Sequence, residues 1–213
     1  VWNKDADNPY STTGGIVLAN DSKFINNAKA VNFEPYENQY YHPNNPEELV
    51  VNDNASYFKN CIFEVNSNYV GPEEFFTHAN LYEVRGVSFI ACDFILEDNP
   101  YNNMYPVGIY AYNAGFSVNG SYNNTINIDG IPSIKKHSTF DNFYKAVVST
   151  KDGSVGTRSF SVKATIFTNN QYGVYAFNSG FATILNSEFE VGQNEDCCSA
   201  GIYAESTPYF VIE

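Results

Sequence analysis

The sequence predicts an all-β fold, a parallel β-helix solenoid of about six coils that carries two long loop insertions. Three observations predict it. The composition favours strands and turns over helices, with 17 Tyr, 17 Phe and abundant Asn. Two short phrases alternate strictly along the chain, and their later copies recur about every 28 residues. Within each phrase the apolar residues fall at every second position, the period of a strand.

The first phrase is a small residue, any residue, then Phe. It ends at Phe24, Phe63, Phe94, Phe140, Phe167 and Phe189. The small slot holds Ser22, Cys61, Cys92, Ser138, Thr165 and Ser187 in turn. The second phrase opens on a small or compact residue at Ala30, His78, Gly108, Ala146, Gly173 and Gly201. Its steps, by subtraction of those positions, are 48, 30, 38, 27 and 28 residues. The long steps contain "EPYENQYYHPNNPEEL" (34–49) and "NGSYNNTINIDGIPSIKK" (119–136), which read as loops. Neither disturbs the phase of the copies after it, as expected where a loop leaves from one edge of a stacked coil.

In "GVYAF", Val174 and Ala176 fall on one side and Tyr175 and Phe177 on the other. In "SEFEV", Ser187, Phe189 and Val191 share a side while Glu188 and Glu190 face out. Such strands, about three per repeat, would each pair with their equivalent one coil on, about 4.8 Å away, giving a rod section roughly 30 Å long. Leucine-rich repeats are excluded by the absence of a Leu ladder and of helices. A β-propeller needs units of about 40 residues with four strands each. A β-sandwich does not explain why the phrases recur in order. Asn-rich turns such as "FINN", "FTNN" and "VNSN" are expected to place Asn in left-handed conformations, bonded to equivalents in adjacent coils.

Charge narrows the partners. The chain carries 24 acidic against 11 basic residues, a net of -13. Such a surface repels nucleic acid and anionic membranes and favours cations, neutral sugars or basic protein patches. No run of 18 apolar residues is present to span a bilayer as a helix. The opening "VWNKDADNPYSTTGG" lacks the basic-then-apolar order of a signal peptide, and "STPYFVIE" ends on a strand-like run. The expectation is one β-helix domain over residues 1–213, part of a longer chain, with open solenoid ends able to self-associate.

The layout "GGIVLANDSKFINN…AVNF…SYFKNCIF…HANLYEVRGVSFIACDF…GIYAYNAGF" resembles the right-handed parallel β-helix repeats of the pectate-lyase-like superfamily. More narrowly it resembles large secreted bacterial surface proteins of the type IX secretion kind. The resemblance covers roughly Gly14 to the end. It implies a right-handed coil and a secreted or bacterial cell-surface location, and it leaves activity open. The carbohydrate-cleaving enzymes of this superfamily carry Asn-Thr-Asp, Asp-Asp and Gly-His-Gly motifs, and none occurs here. Pectate lyases use calcium-binding carboxylates and an Arg base. Here Arg85 and Arg158 are the Arg candidates, without clustered acids at matching registers.

Few residues suggest chemistry. Cys61 and Cys92 share a register, so they are either two small buried thiols or a disulfide joining adjacent coils. Cys197 and Cys198 lie in the loop "GQNEDCCSAG", with no His or other Cys near enough in sequence for a metal site. His42, His78 and His137 belong to no nucleophile or zinc motif. Asp21, Asp53, Asp93, Asp98 and Asp196 stand near turns as candidate calcium ligands, without an Asp-x-Asp-x-Asp loop. Glu188 and Glu190 could flank a sugar, or simply be solvated.

The outward row of the second phrase, Asn32, Asn80, Tyr110, Val148, Tyr175 and Tyr203, forms a partial Tyr ladder. Exposed aromatics in a row either shield the strand ladder or present flat faces to sugars and proteins. The leading expectation is a non-catalytic extracellular scaffold, a stalk, adhesin or ligand-presenting rod, with Tyr110, Tyr175 and Tyr203 as its glycan- or protein-binding face. A β-helix polysaccharide lyase or glycoside hydrolase acting on acidic polysaccharide is the alternative.

Overall fold

The computed structural model describes residues 3–4, 12–13, 15–35, 38–42, 44–71, 75–97, 105–126, 132–152, 158–191 and 199–213. Among these the fold is all-β, with no helix. Three parallel sheets of seven, six and six strands dominate it. Sheet I contains Leu18–Asn20, Tyr57–Lys59, Arg85–Ile90, Gly115–Asn119, Ser159–Lys163, Phe181–Leu185 and Tyr209–Ile212. Sheet II contains Lys23–Ile25, Ile62–Val65, Asp93–Leu96, Ser138–Asp141, Thr165–Asn170 and Glu188–Val191. Sheet III contains Val31–Phe33, Thr77–Tyr82, Val107–Tyr112, Lys145–Thr150, Tyr172–Phe177 and Ala200–Glu205. The chain visits I, II and III in that order throughout. Each strand pairs in parallel with the next strand of its own sheet, which is consistent with the predicted solenoid.

The phrase residues become the core. The six Phe of the first phrase form one continuous stack in sheet II. Centroids are 4.8 Å apart for Phe24–Phe63, 4.7 Å for Phe63–Phe94, 4.4 Å for Phe94–Phe140, 5.2 Å for Phe140–Phe167 and 4.7 Å for Phe167–Phe189. Parallel in-register pairing forces this, because equivalent side chains then sit one strand spacing apart. The glycines of the second phrase make room beside the stack. A Cβ on Gly108 would meet the Phe140 ring at 2.8 Å, and one on Gly173 the Phe189 ring at 2.6 Å. Val174 and Ala176 are fully buried, as the alternation requires.

Between sheets I and II the chain turns on one residue in the left-handed region. These are Asp21, Asn60, Ala91, Ala164 and Asn186, with φ of 50°, 53°, 53°, 50° and 48°. A non-Gly residue there costs roughly 1 kcal/mol, which the corner offsets with hydrogen bonds. The corner N–H continues the ladder, as in Asp21 N to Lys59 O (2.9 Å) and Asn60 N to Ile90 O (2.9 Å). The small slot residue that follows donates back to the carbonyl just before the corner. Ser22 Oγ reaches Asn20 O at 2.9 Å, Cys61 Sγ Lys59 O at 3.4 Å, Thr165 Oγ1 Lys163 O at 3.2 Å and Ser187 Oγ Leu185 O at 3.0 Å. The slot is therefore small because it is a corner donor. Asn side chains tie neighbouring corners as expected, with Asn60 Nδ2 donating to Asp21 Oδ1 (3.2 Å) and Asn26 Nδ2 to Asn66 Oδ1 (2.9 Å).

The two long loops differ from expectation, since each contains an antiparallel hairpin. Asn38–His42 pairs with Asn45–Asn52, and Ser121–Ile126 pairs with Pro132–Lys136. Tyr, Val, Leu and Ile inside the Asn- and Pro-rich stretches are enough to close a local ladder. The second hairpin leaves the corner intact, because Ser138 Oγ still donates to Asn119 O at 2.8 Å across it.

Candidate functional site

The predicted Tyr row exists in the predicted register. Asn32 pairs with Asn80, Asn80 with Tyr110, Tyr110 with Val148, Val148 with Tyr175 and Tyr175 with Tyr203. Buried Val148 divides it. Tyr110 turns to Phe76, with ring centroids 5.4 Å apart, while Tyr175 and Tyr203 stack at 4.7 Å and 10°. On the opposite side of Tyr175, Lys145 Nζ lies 3.5 Å from the ring centroid, with Tyr144 and Tyr172 also around it. Both flat faces of Tyr175 are thus taken within the chain. Burial lowers the pKa of the Lys145 ammonium, but the cation–π contact favours its charged form. Tyr203 donates its hydroxyl to Glu205 at 2.6 Å, which pushes its pKa up to about 12. The Tyr cluster is therefore largely satisfied by its own neighbours, with one face of Tyr203 left over.

Cys61 and Cys92 are buried free thiols, so the disulfide reading is corrected here. They do stand in adjacent strand positions, with Asp93 N donating to Cys61 O at 2.9 Å. Each sulfur is engaged as a corner donor instead, Cys61 toward Lys59 O and Cys92 toward Ile90 O at 3.6 Å, with Cys92 also 3.2 Å from Phe58 O of the neighbouring strand. Burial pushes the Cys92 thiol up to about 12, which removes the thiolate needed for reactivity. Cys197, Cys198, Asp98 and Asp196 lie outside the described residues. Asp21, Asp53 and Asp93 each have a separate partner: Asn60, Arg85 and Lys136. No three potential metal ligands cluster among the described residues. His78 is a core residue, with Nε2 3.3 Å from Ile95 O and the ring against Phe75 and Phe143. Glu188 and Glu190 face out from sheet II, as predicted.

A different surface carries the better site geometry, the outer face of sheet I. Register places Arg85, Gly115, Ser159, Phe181 and Tyr209 in one row across the sheet. A second row holds Ser88, Ser117, Ser161 and Thr183. Ser117 Oγ donates to Ser88 Oγ at 3.0 Å, so the floor is a strip of small hydroxyls. At one end, Phe181 and Tyr209 stack at 4.6 Å and 10° while remaining 46% and 59% exposed. At the other end, a cleft of about 310 Å³ is lined by Asp53, Arg85, Ser88, Gly115, Ser117 and Arg158, among others.

Local sequence explains the cleft. Gly115 contributes no side chain between Arg85 and Ser159, which leaves a gap in the row. A β-bulge at Gly86, in the left-handed region at φ +83°, shifts the register and aims Arg85 toward Asp53. Arg85 Nε and Asp53 Oδ1 are 3.3 Å apart, with side chains 40% and 62% exposed. Such an exposed pair contributes about 0–1 kcal/mol. A second cleft of about 370 Å³ includes Phe181 and Tyr209 in its lining, together with Lys151, Asp152, Asn178 and Ser206, among others.

Sequence reasoning named Arg85 and Arg158 separately but did not bring them together, and it missed the serine strip. The available signal was the outward Ser in "RGVSF", "AGFSV" and "RSFSV", which recurs in the three strands that follow the phrases opening at His78, Gly108 and Ala146. No helix among the described residues is long and apolar enough to cross a membrane, which says nothing of a β-barrel. No protein-family model, curated protein or solved structure matches the chain.

Proposed function

We propose that this chain is a section of a right-handed parallel β-helix of about six coils, borne by a secreted or bacterial cell-surface protein. In this reading it acts as a non-catalytic scaffold that binds saccharide along the outer face of sheet I. The observation that carries the proposal is the stacked, half-exposed Phe181–Tyr209 pair standing beside a strip of Ser and Thr hydroxyls. Flat aromatic faces cover the apolar face of a sugar ring, and hydroxyls both donate to and accept from its hydroxyls. The Tyr175–Tyr203 pair is the secondary surface, because Lys145 and Tyr203 cover both faces of Tyr175. Among the described residues the edge strands of sheet I leave Leu18 61% and Ile212 62% exposed, a surface for self-association.

The test is glycan-array binding by the wild-type chain, by Phe181→Ala plus Tyr209→Ala, and by Tyr175→Ala plus Tyr203→Ala. Loss in the first pair with retention in the second is expected. Retained binding in the first pair sinks the assignment to sheet I. Release of reducing or unsaturated sugars from acidic polysaccharide would replace the scaffold reading with that of a lyase or hydrolase.

A further inference from the structure

Arg85 and Arg158 are the only two arginines in the 213 residues, and both line the same sheet I cleft. They come from strand regions 73 residues apart by subtraction, on opposite sides of the gap left by Gly115. The chain as a whole, with a net charge of -13, repels anions, so local attraction here has to come from the cleft itself. We propose that the cleft binds a tetrahedral oxyanion, carried as a sulfate or phosphate ester on the saccharide that lies along the same face. The carrier part of this proposal rests on the saccharide reading above, and the oxyanion part does not.

The geometry favours a tetrahedral group over a planar one. A guanidinium fork uses up both oxygens of a carboxylate in one bidentate contact. Two arginines brought to the lining from different strands, with the hydroxyls of Ser88 and Ser117 beside them, supply more donors than the two oxygens of a carboxylate can use and suit an anion with three or four oxygens. Asp53 holds Arg85 through an exposed, weak contact, so an incoming anion displaces it at little cost. From Arg85 the row runs through Gly115 and Ser159 to Phe181, three strand spacings or about 14 Å. An ester at the cleft and a ring on Phe181 are therefore accessible to one short oligosaccharide.

Calorimetric titration at fixed ionic strength provides the test, using a sulfated oligosaccharide, its desulfated counterpart, a uronate oligosaccharide and sodium sulfate. Variants are Arg85→Ala, Arg158→Ala, the corresponding Lys changes, and Gly115→Ala. A Cβ on Gly115 would stand 3.3 Å from Ser159 O and 3.7 Å from Arg85 Cγ, so it fills the gap while leaving both charges. The sulfated sugar should bind about tenfold or more tighter than the desulfated one, and each Arg→Ala and Gly115→Ala should remove that advantage. The Lys variants keep charge without the fork, so they should bind more weakly than wild type even if an Ala variant fails to fold. Competition by sodium sulfate would identify the free anion as sufficient, and its failure would place recognition in the ester on its carrier. Equal binding of the uronate sugar overturns the tetrahedral assignment. Equal binding of the desulfated sugar, with indifferent Arg variants, overturns the oxyanion site but spares the saccharide reading. Binding of none of the probes overturns both.

Discussion

His78 makes stability depend on pH in a way that can be worked out from its surroundings. Its ring is fully buried beside Phe75, Phe143, Phe63 and Phe94, with one hydrogen bond to Ile95 O and with Nδ1 unpartnered. Desolvation disfavours the imidazolium and lowers the pKa from 6.5 to about 3, against a smaller opposing effect of the Ile95 carbonyl. The folded state therefore stays neutral where the unfolded chain takes up a proton. Below pH 6.5 this linkage erodes stability by about 1.4 kcal/mol per pH unit, and the loss saturates below pH 3. From pH 7 to pH 5 the loss from this group is about 2 kcal/mol. Urea unfolding of wild type and His78→Leu at pH 7, 6 and 5 isolates it, because the carboxylates titrate in both proteins and cancel in the difference. Loss of the Ile95 bond costs the variant about 1 kcal/mol at every pH. Relative to wild type, the variant should gain about 2 kcal/mol on going to pH 5. Parallel stability–pH curves would refute the account.

Phe140 is stacked on both sides in the middle of the Phe column, so Phe140→Ala should cost about 3–5 kcal/mol, measured by urea denaturation. Gly173→Ala forces a Cβ to 2.6 Å from both Gly201 O and the Phe189 ring, and should cost about 1–3 kcal/mol through overpacking. A variant as stable as wild type would show that the phrase glycines do not act as spacers. For the cysteines, Cys92→Ser should keep nearly wild-type stability, since Ser138 fills the same slot, while Cys92→Ala should lose about 1 kcal/mol with its corner donor. Native-state alkylation mapped by mass spectrometry should leave Cys61 and Cys92 unmodified until the chain unfolds.

The regular part of the fold was legible because a repeat is a local statement made many times. The six phrase Phe fall in one stack, and the row from Asn32 to Tyr203 pairs residue for residue as alternation requires. What was not legible depends on departures from the repeat. Lys145 lies three residues before Val148, and nothing in the strand pattern announces that its ammonium reaches over Tyr175. The cleft arises from a missing side chain at Gly115 and a one-residue bulge at Gly86, which bring Asp53, Arg85 and Arg158 together. Spacing cannot reveal a gap whose walls come from separate passages of the chain. The two long stretches read as loops because Asn and Pro outweighed the Tyr, Val and Ile that pair within them.

The bond from Ser138 to Asn119 joins the two sides of an excursion that holds a whole hairpin. That corner is closed in the same way whether its slot residue follows directly, as Thr165 does, or only after the detour. Doubling the length of such an excursion costs only about 0.6 kcal/mol in closure entropy. The stacked sheets therefore have a natural graft point between Ser121 and Lys135, where foreign sequence can be exchanged like a cartridge while Lys136 keeps its bonds to Ala91 O and Asp93 and the Phe column beneath keeps its spacing. Variation in what the molecule displays and constancy in what holds it up are in this way assigned to different residues.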